Sequence, residues 1–280
     1  MKIAIITENT LSSGAGHYIR QRRIQNKLLD LNYEVKIFNL SELSRESIYK
    51  SINRHELLLI DVPFKRQDLL PKFKVQTIGF DWIGVAKPNV NIVTYKQPKF
   101  TYTFSDQMYF GLKFFSLTLD SKIDSKYGEY HLISLGKSAK FVTYQNIIQY
   151  IRTKFGKDLQ ILICHGLKSF PKIYDKNIQV LNFNNNFLNL VSQSKFNYVN
   201  GGGTLLESLI LQKPTISFPQ NELEQNFVIY LHKRGFRFFS NMKKSYNKFN
   251  GLKRLRDNIV DPLDGLGANR ICKIIGAMSG

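Results

Sequence analysis

Short apolar runs recur along this chain, separated by stretches with helical spacing, and that alternation leaves few folds open. Met1-Lys2-Ile3-Ala4-Ile5-Ile6, Glu56-Leu57-Leu58-Leu59-Ile60-Asp61, Val75-Gln76-Thr77-Ile78-Gly79-Phe80 and Asn91-Ile92-Val93-Thr94-Tyr95 read as strands, with helices expected over His17 to Asp30 and Ser41 to Asn53. Strands buried on both faces are continuously apolar, so the pattern predicts parallel α/β units. The alternation breaks near Lys96-Gln97-Pro98 and the chain stays irregular and aromatic to about Tyr130, the expected crossing between two domains.

A second series of strands comes next, at His131 to Leu135, Leu159 to Cys164, Ile178 to Leu181, Phe196 to Asn200 and Pro214 to Phe218. The expected division is residues 1–120 and 121–280, with the C-terminal helix packing back on the first domain. Two such Rossmann-like domains are expected to leave a cleft at the carboxyl ends of their strands, where ligands bind in open α/β sheets.

Composition narrows the function classes. The 280 residues carry 43% hydrophobic side chains, enough for ordinary cores. The first apolar run stops at Ile6 and gives way to Thr7-Glu8-Asn9, so no secretory signal is expected, and no later run reaches transmembrane length. Cys164 and Cys272 are distant from one another, which argues against a disulfide framework and for a reducing cytoplasm. His17, His55, His131, His165 and His232 are scattered without metal-ligand spacing, so no metal is expected. A net charge of +19 calls for anionic partners without choosing among nucleotides, nucleic acid and acidic membrane. The densest basic runs are Arg20-Gln21-Arg22-Arg23, Lys243-Lys244 and Lys253-Arg254-Leu255-Arg256, the last expected on a helix.

Two glycine turns carry the chemistry. Between the first strand and the first helix lies Gly14-Ala15-Gly16-His17-Tyr18-Ile19-Arg20. Its glycines permit close backbone approach, and the helix start offers unpaired N–H groups to an anion. The third glycine of the dinucleotide fingerprint is absent. The second turn, Gly201-Gly202-Gly203-Thr204-Leu205-Leu206-Glu207, also joins a strand to a helix. Successive N–H groups there could hold a diphosphate and Glu207 a ribose, while the spacing Thr204-x-x-Glu207 by itself favours a capping box that needs no ligand.

The chain beyond the second turn has an ordered set of motifs: Lys213-Pro214 before a strand ending at Phe218-Pro219, then Gln225-Asn226 opening a helix that closes at Lys233-Arg234-Gly235-Phe236. This set resembles the nucleotide-sugar half of GT-B fold enzymes. With Gly14-Ala15-Gly16-His17, Arg20, Gly79-Phe80-Asp81 and the tail Leu263-Asp264-Gly265-Leu266-Gly267-Ala268-Asn269-Arg270, the chain is similar to the UDP-sugar hydrolases of pseudaminic acid biosynthesis and their spore-coat polysaccharide relatives. The resemblance implies a GT-B-like fold of two Rossmann-like domains, a UDP-sugar substrate and no cofactor or metal. It implies that His17 is the general base activating water at the anomeric carbon. Gly14, Gly16 and Arg20 would line that pocket, with Asp81 toward the sugar. Gly202, Gly203, Thr204 and Glu207 would hold the UDP, and Gln225 and Asn226 would complete the contacts.

The chain departs from that pattern twice. Gly136-Lys137-Ser138-Ala139 stands where the family has two glycines, serine and aspartate, so Gly136 and Lys137 become the candidates there, with the lysine supplying a charge for phosphate. Asp81-Trp82 replaces paired aspartates. Two other readings remain: a GT-B glycosyltransferase using an acceptor hydroxyl in place of water, and a basic nucleic-acid-binding protein, for which no module is recognisable. An exposed apolar or basic patch on the N-terminal domain would favour transfer, with peripheral membrane contact expected if the acceptor is lipid-linked.

Overall fold

The structure is a computed structural model, and it describes all residues except 9–15, 43, 53, 69, 98, 118–127, 129, 138, 168, 184–185, 242–262 and 279–280. The chain divides into two compact units, one formed by residues 1–119 with 261–280 and the other by 120–260. Gly14 and the basic runs at 243–244 and 253–256 lie outside the described residues.

The first unit holds a six-stranded sheet of β1 (Lys2–Thr7), β2 (Glu34–Asn39), β3 (Leu57–Asp61), β4 (Gln76–Phe80), β5 (Val90–Val93) and β6 (Gln107–Phe110) in the order β2-β1-β3-β4-β5-β6. Neighbouring strands pair in parallel throughout. Helices α1 (Gly16–Asp30) and α2 (Arg45–Ile52) follow β1 and β2, and the short α3 (Phe64–Gln67) follows β3. On α1 the buried residues are Gln21, Ile24, Gln25 and Leu28, the three-and-four spacing of one helix face. Ile24 and Leu28 pack on Ile3, Ile5, Leu57 and Leu59, while Ala4, Ile6, Leu58 and Ile60 fill the opposite face with Ile52 and Trp82. Both faces are therefore covered, as the continuous apolar runs require.

The stretch after Lys96 is less irregular than its composition suggests, since β6 and a 3-10 turn at Leu112–Phe114 lie within it. Neither β6 nor β2 is legible as a buried run. Both are edge strands, and Glu34, Lys36 and Gln107 face solvent.

In the second unit, β7 (Tyr130–Ser134), β8 (Gln160–His165), β9 (Ile178–Asn182), β10 (Phe196–Val199), β11 (Thr215–Ser217) and β12 (Phe239–Ser240) form a second parallel sheet in the order β12-β11-β10-β7-β8-β9. Tyr144, Ile147 and Ile151 of α4 (Phe141–Phe155) cover one face with Ile133, Ile161 and Ile163. Phe187 and Val191 of α5 (Phe187–Gln193) cover the other with Leu132, Leu162 and Cys164. Helices α6 (Gly203–Ile210) and α7 (Glu222–Lys233) follow β10 and β11.

The closing helix α8 (Gly267–Met278) belongs to the first unit, where Ile271 and Ile275 join the core beside α1. The tail motif secures it. Arg270 donates to both oxygens of Asp264, at 2.7 and 2.5 Å, and to the Lys113 carbonyl at 3.0 Å. Those hydrogen bonds hold the Asp264 carboxyl below its usual range. This part of the family resemblance therefore has a structural role in this chain.

Candidate functional site

In each sheet the chain reverses its direction of winding at one point, and the strand ends there splay to leave a ligand crevice. In the first unit that point lies between β1 and β3, with Thr7 registered opposite Asp61. Asp61 is wholly buried and takes four hydrogen bonds from α1. His17 Nδ1 lies 2.7 Å from Oδ1, Arg20 donates through Nη2 at 2.5 Å and Nε at 2.6 Å, and Gln21 Nε2 donates at 3.0 Å. Those donors sit on consecutive turns of α1, so one carboxylate orients the start of the helix.

Burial alone would push the Asp61 carboxyl up, but Arg20 and then His17 outweigh it and hold the group well below the usual carboxylate range. An ionised Asp61 can only accept, so the proton shared with His17 sits on Nδ1. In the neutral ring Nε2 then carries the lone pair, and the side chain is 28% exposed. The arrangement is that of a general base with an orienting acid behind it.

Arg20 joins the two aspartates, donating through Nη1 to Asp81 Oδ2 at 2.9 Å while its guanidinium lies 5.4 Å from the Phe80 ring centre. Burial opposes its charge, and Asp61 and Asp81 more than restore it, so its pKa is raised. The other Asp81 oxygen accepts from the Thr94 N–H at 2.8 Å. Asp81 sits at φ 49, a left-handed conformation uncommon for a non-glycine residue. The Gln67 amide holds it there by donating to the Asp81 carbonyl at 3.3 Å and accepting from Ile83 and Gly84 N–H at 2.7 and 3.0 Å. Two carboxylates thus face one guanidinium, and a proton arriving at His17 Nε2 would bring the cluster to neutrality. Trp82 is buried in the core with Nε1 on the Ala86 carbonyl at 2.7 Å, so the missing second aspartate falls at a position that points away from this cluster.

A further carboxylate, Glu8, comes directly after β1 and pairs with Arg66 at 3.3 Å. Gly16 begins α1.

In the second unit the winding reverses between β7 and β10. Gly136 and Lys137 follow β7, Asn200 to Gly203 follow β10, and Cβ atoms added at Gly136 and Gly202 would each stand 3.3 Å from Asn200 Nδ2. Lys137 lies across Gly166, where a Cβ would come within 2.8 Å of its stem.

The capping box expected at Thr204 and Glu207 does not form: the N-cap of α6 is Gly202, with no side-chain cap bond, and Thr204 lies inside the helix. The cap pattern falls on α7, which starts at Glu222, three residues before Gln225, with the Asn221 side chain accepting from Glu224 N–H at 3.0 Å. The Glu224 carboxylate reaches back to the glycine turn. It accepts from Gly201 N–H at 3.1 Å, Asn200 Nδ2 at 3.1 Å and Gln220 N–H at 2.7 Å. Burial pushes its carboxyl up despite these donors. The first glycine's N–H is therefore engaged within the protein, correcting the expectation of three successive N–H groups. Those of Gly203 and Thr204 head α6 at the positive end of its dipole. Glu207 is buried on α6, and Gln225 and Asn226 follow Glu224 on α7.

Gly201 must be glycine, because a Cβ would stand 2.9 Å from the Glu224 carbonyl oxygen and Cβ. Gly201→Ala is expected to destabilise by about 1–3 kcal/mol, the usual cost of overpacking. Gly202→Ala, whose nearest neighbour is a side-chain amide, should cost less; urea melts of both variants test the contrast.

Sequence reasoning takes Asp61 only as a strand end and passes over Glu224. The available signals were an acid closing an apolar strand at its carboxyl end, and Asn221-x-x-Glu224 before a helix. Among the described residues, no group of three or more His, Cys, Asp or Glu could hold a metal ion, and no helix is long and apolar enough to cross a membrane.

No family model and no curated protein matches the chain. Solved structures do. The UDP-GlcNAc 2-epimerase of Methanocaldococcus jannaschii, in complex with UDP-GlcNAc and UDP, superposes with a TM-score of 0.57 at 13% identity over 99% of this chain and 100% of that one. The glycosyltransferase SnogD of Streptomyces nogalater gives 0.54 at 11% over 99% and 95%. MurG of Acinetobacter baumannii gives 0.53 at 9% over 98% and 90%. The fold is that of the GT-B class, two Rossmann-like α/β units.

Proposed function

We propose that this chain is an enzyme that cleaves a UDP-activated sugar, with His17 as general base and the second unit holding the nucleotide. The observation that carries the reading is the His17–Asp61 contact of 2.7 Å at the winding reversal of the first sheet, buttressed by Arg20. In the reaction, His17 Nε2 takes a proton from water as its oxygen attacks the anomeric carbon. The bond from that carbon to the diphosphate oxygen breaks, and the imidazolium forms against Asp61. The Gly203 and Thr204 N–H groups and Lys137 meet the diphosphate, Glu207 the ribose, and Gln225 and Asn226 complete the contacts. Asp81, held by Arg20 and the Thr94 N–H, keeps further acceptor sites for the sugar.

Support for a nucleotide sugar comes from the epimerase neighbour, solved in complex with UDP-GlcNAc and UDP, and from the sequence motifs the chain shares with the family. A second reading, transfer to an acceptor hydroxyl, is favoured by a specific observation: Val85 and Phe104 of the first unit are large apolar residues standing in solvent. Incubation with a panel of UDP-sugars, with and without acceptors, followed by detection of free UDP, separates the two; turnover without an acceptor supports hydrolysis. UDP at 100 times its Kd is expected to stabilise the protein by about 2.7 kcal/mol, seen as a raised Tm. No shift at any accessible concentration would overturn the nucleotide-sugar reading.

A further inference from the structure

Among the described residues, the crossovers from β4 to β5 and from β5 to β6 contain no helix; two loops make them instead. Those loops are stapled side by side. Thr103 Oγ1 donates to the Gly84 carbonyl at 2.6 Å, and the Lys87 ammonium meets Asp106 at 2.6 Å. Val85 and Phe104 directly follow the two residues of the first staple, Gly84 and Thr103, and they are 90% and 83% exposed. Single exposed apolar residues are ordinary, but two carried on loops that are hydrogen-bonded to one another make a built feature. The Val85 N–H is fixed on Asp68 Oδ1 at 3.2 Å, and the Asn91 side chain ties the Thr103 and Trp82 carbonyls together beneath.

The exposed charge of the surrounding sequence is mainly positive. Lys65, Lys72, Lys74, Lys87, Lys96 and Lys99 are all exposed, and the exposed acids of the same stretch are Asp68 and Asp106, the latter paired with Lys87. Phe64 and Phe100, ring centres 4.2 Å apart, bring the lysines beside them, Lys65 and Lys99, to one place. Apolar tips on a lysine-rich stretch match the interface of an anionic bilayer, where the tips enter the headgroup boundary and ammonium groups meet lipid phosphates.

We propose that this loop face of the first unit is a peripheral membrane-binding surface, with Val85 and Phe104 as its inserting residues and an anionic lipid bilayer as its occupant. The surface lies on the loop that starts at Asp81, so membrane contact brings lipid headgroups within a few residues of the Arg20 cluster. The proposal stands whether or not UDP-sugars are the substrate, because its readout needs no nucleotide.

The test is cosedimentation of the full chain with vesicles of phosphatidylglycerol and phosphatidylcholine, or of phosphatidylcholine alone. The mixed vesicles should pellet the protein and the neutral ones should not. The double variant Val85→Ser, Phe104→Ser keeps the net charge and should bind the mixed vesicles about tenfold more weakly, whereas Val142→Ser, an exposed residue of the second unit, should not change binding. An unchanged thermal midpoint in the double variant shows that the fold is intact. Phe104→Trp should shift its fluorescence to the blue on adding mixed vesicles. Equal binding by the double variant would show that dispersed charge alone acts and would overturn the proposal. So would failure of the parent to bind mixed vesicles, which would leave the patch to a protein partner.

Discussion

His17→Ala is expected to slow the release of UDP from its sugar by about two to four orders of magnitude, the usual contribution of a positioned general base, while leaving the UDP-induced rise in Tm unchanged. The split follows from where the groups sit: the imidazole belongs to the first unit and the glycine turn to the second. Asp61→Asn should produce a loss of similar size with the imidazole still in place. An amide there can offer its N–H to Nδ1, which would move the ring proton to Nε2 and leave no lone pair toward the substrate. Asn at position 61 also removes the negative charge against which the imidazolium forms. Steady-state kinetics at neutral pH read both effects, and turnover unaltered in either variant would remove the proposed base.

The sequence carries the fold unevenly, and the reasons are local. Leu57 to Asp61 reads as a strand because parallel strands covered on both faces are apolar throughout, and the same holds for β8 and β1. β2 does not, since as an edge strand it exposes Glu34 and Lys36 and leaves only Phe38 fully covered. At the site, His17 and Arg20 announce themselves through the glycine turn before them. Asp61 does not, because its partner lies 44 residues away and the two meet only once β3 is placed beside β1. The departure at Trp82 shows the converse limit: it alters a motif letter without altering the Arg20 cluster, because residue 82 turns into the core. Thr204 and Glu207 have the right spacing, but Asn221 and Glu224 form the cap, and the Glu224 side chain holds the glycine turn as well.

Arg20→Met should be the most damaging change to the first unit. It removes the guanidinium from Asp61, which is fully buried and keeps His17 and Gln21, and takes from Asp81 one of its two ligands. Removing one partner of a buried ion pair typically costs about 3–5 kcal/mol, because the remaining charge stays desolvated. Arg20→Lys should recover only part of it, since one ammonium cannot reproduce the Nε, Nη1 and Nη2 contacts that the planar guanidinium makes to two carboxylates. The pH dependence separates this account from a simple loss of packing. Asp61 in the folded parent titrates well below its ordinary value of 3.8, so its stabilisation is fully present above that value and is lost as pH falls below it. In Arg20→Met the main cause of that depression is gone. The stability gap between parent and variant, followed by urea melts from pH 7 down to about pH 3, should therefore be widest near neutrality and narrow on acidification. A gap independent of pH would mean that Arg20 acts through the stacking of its guanidinium beside Phe80, and that the charges of the cluster contribute little to holding His17 in place.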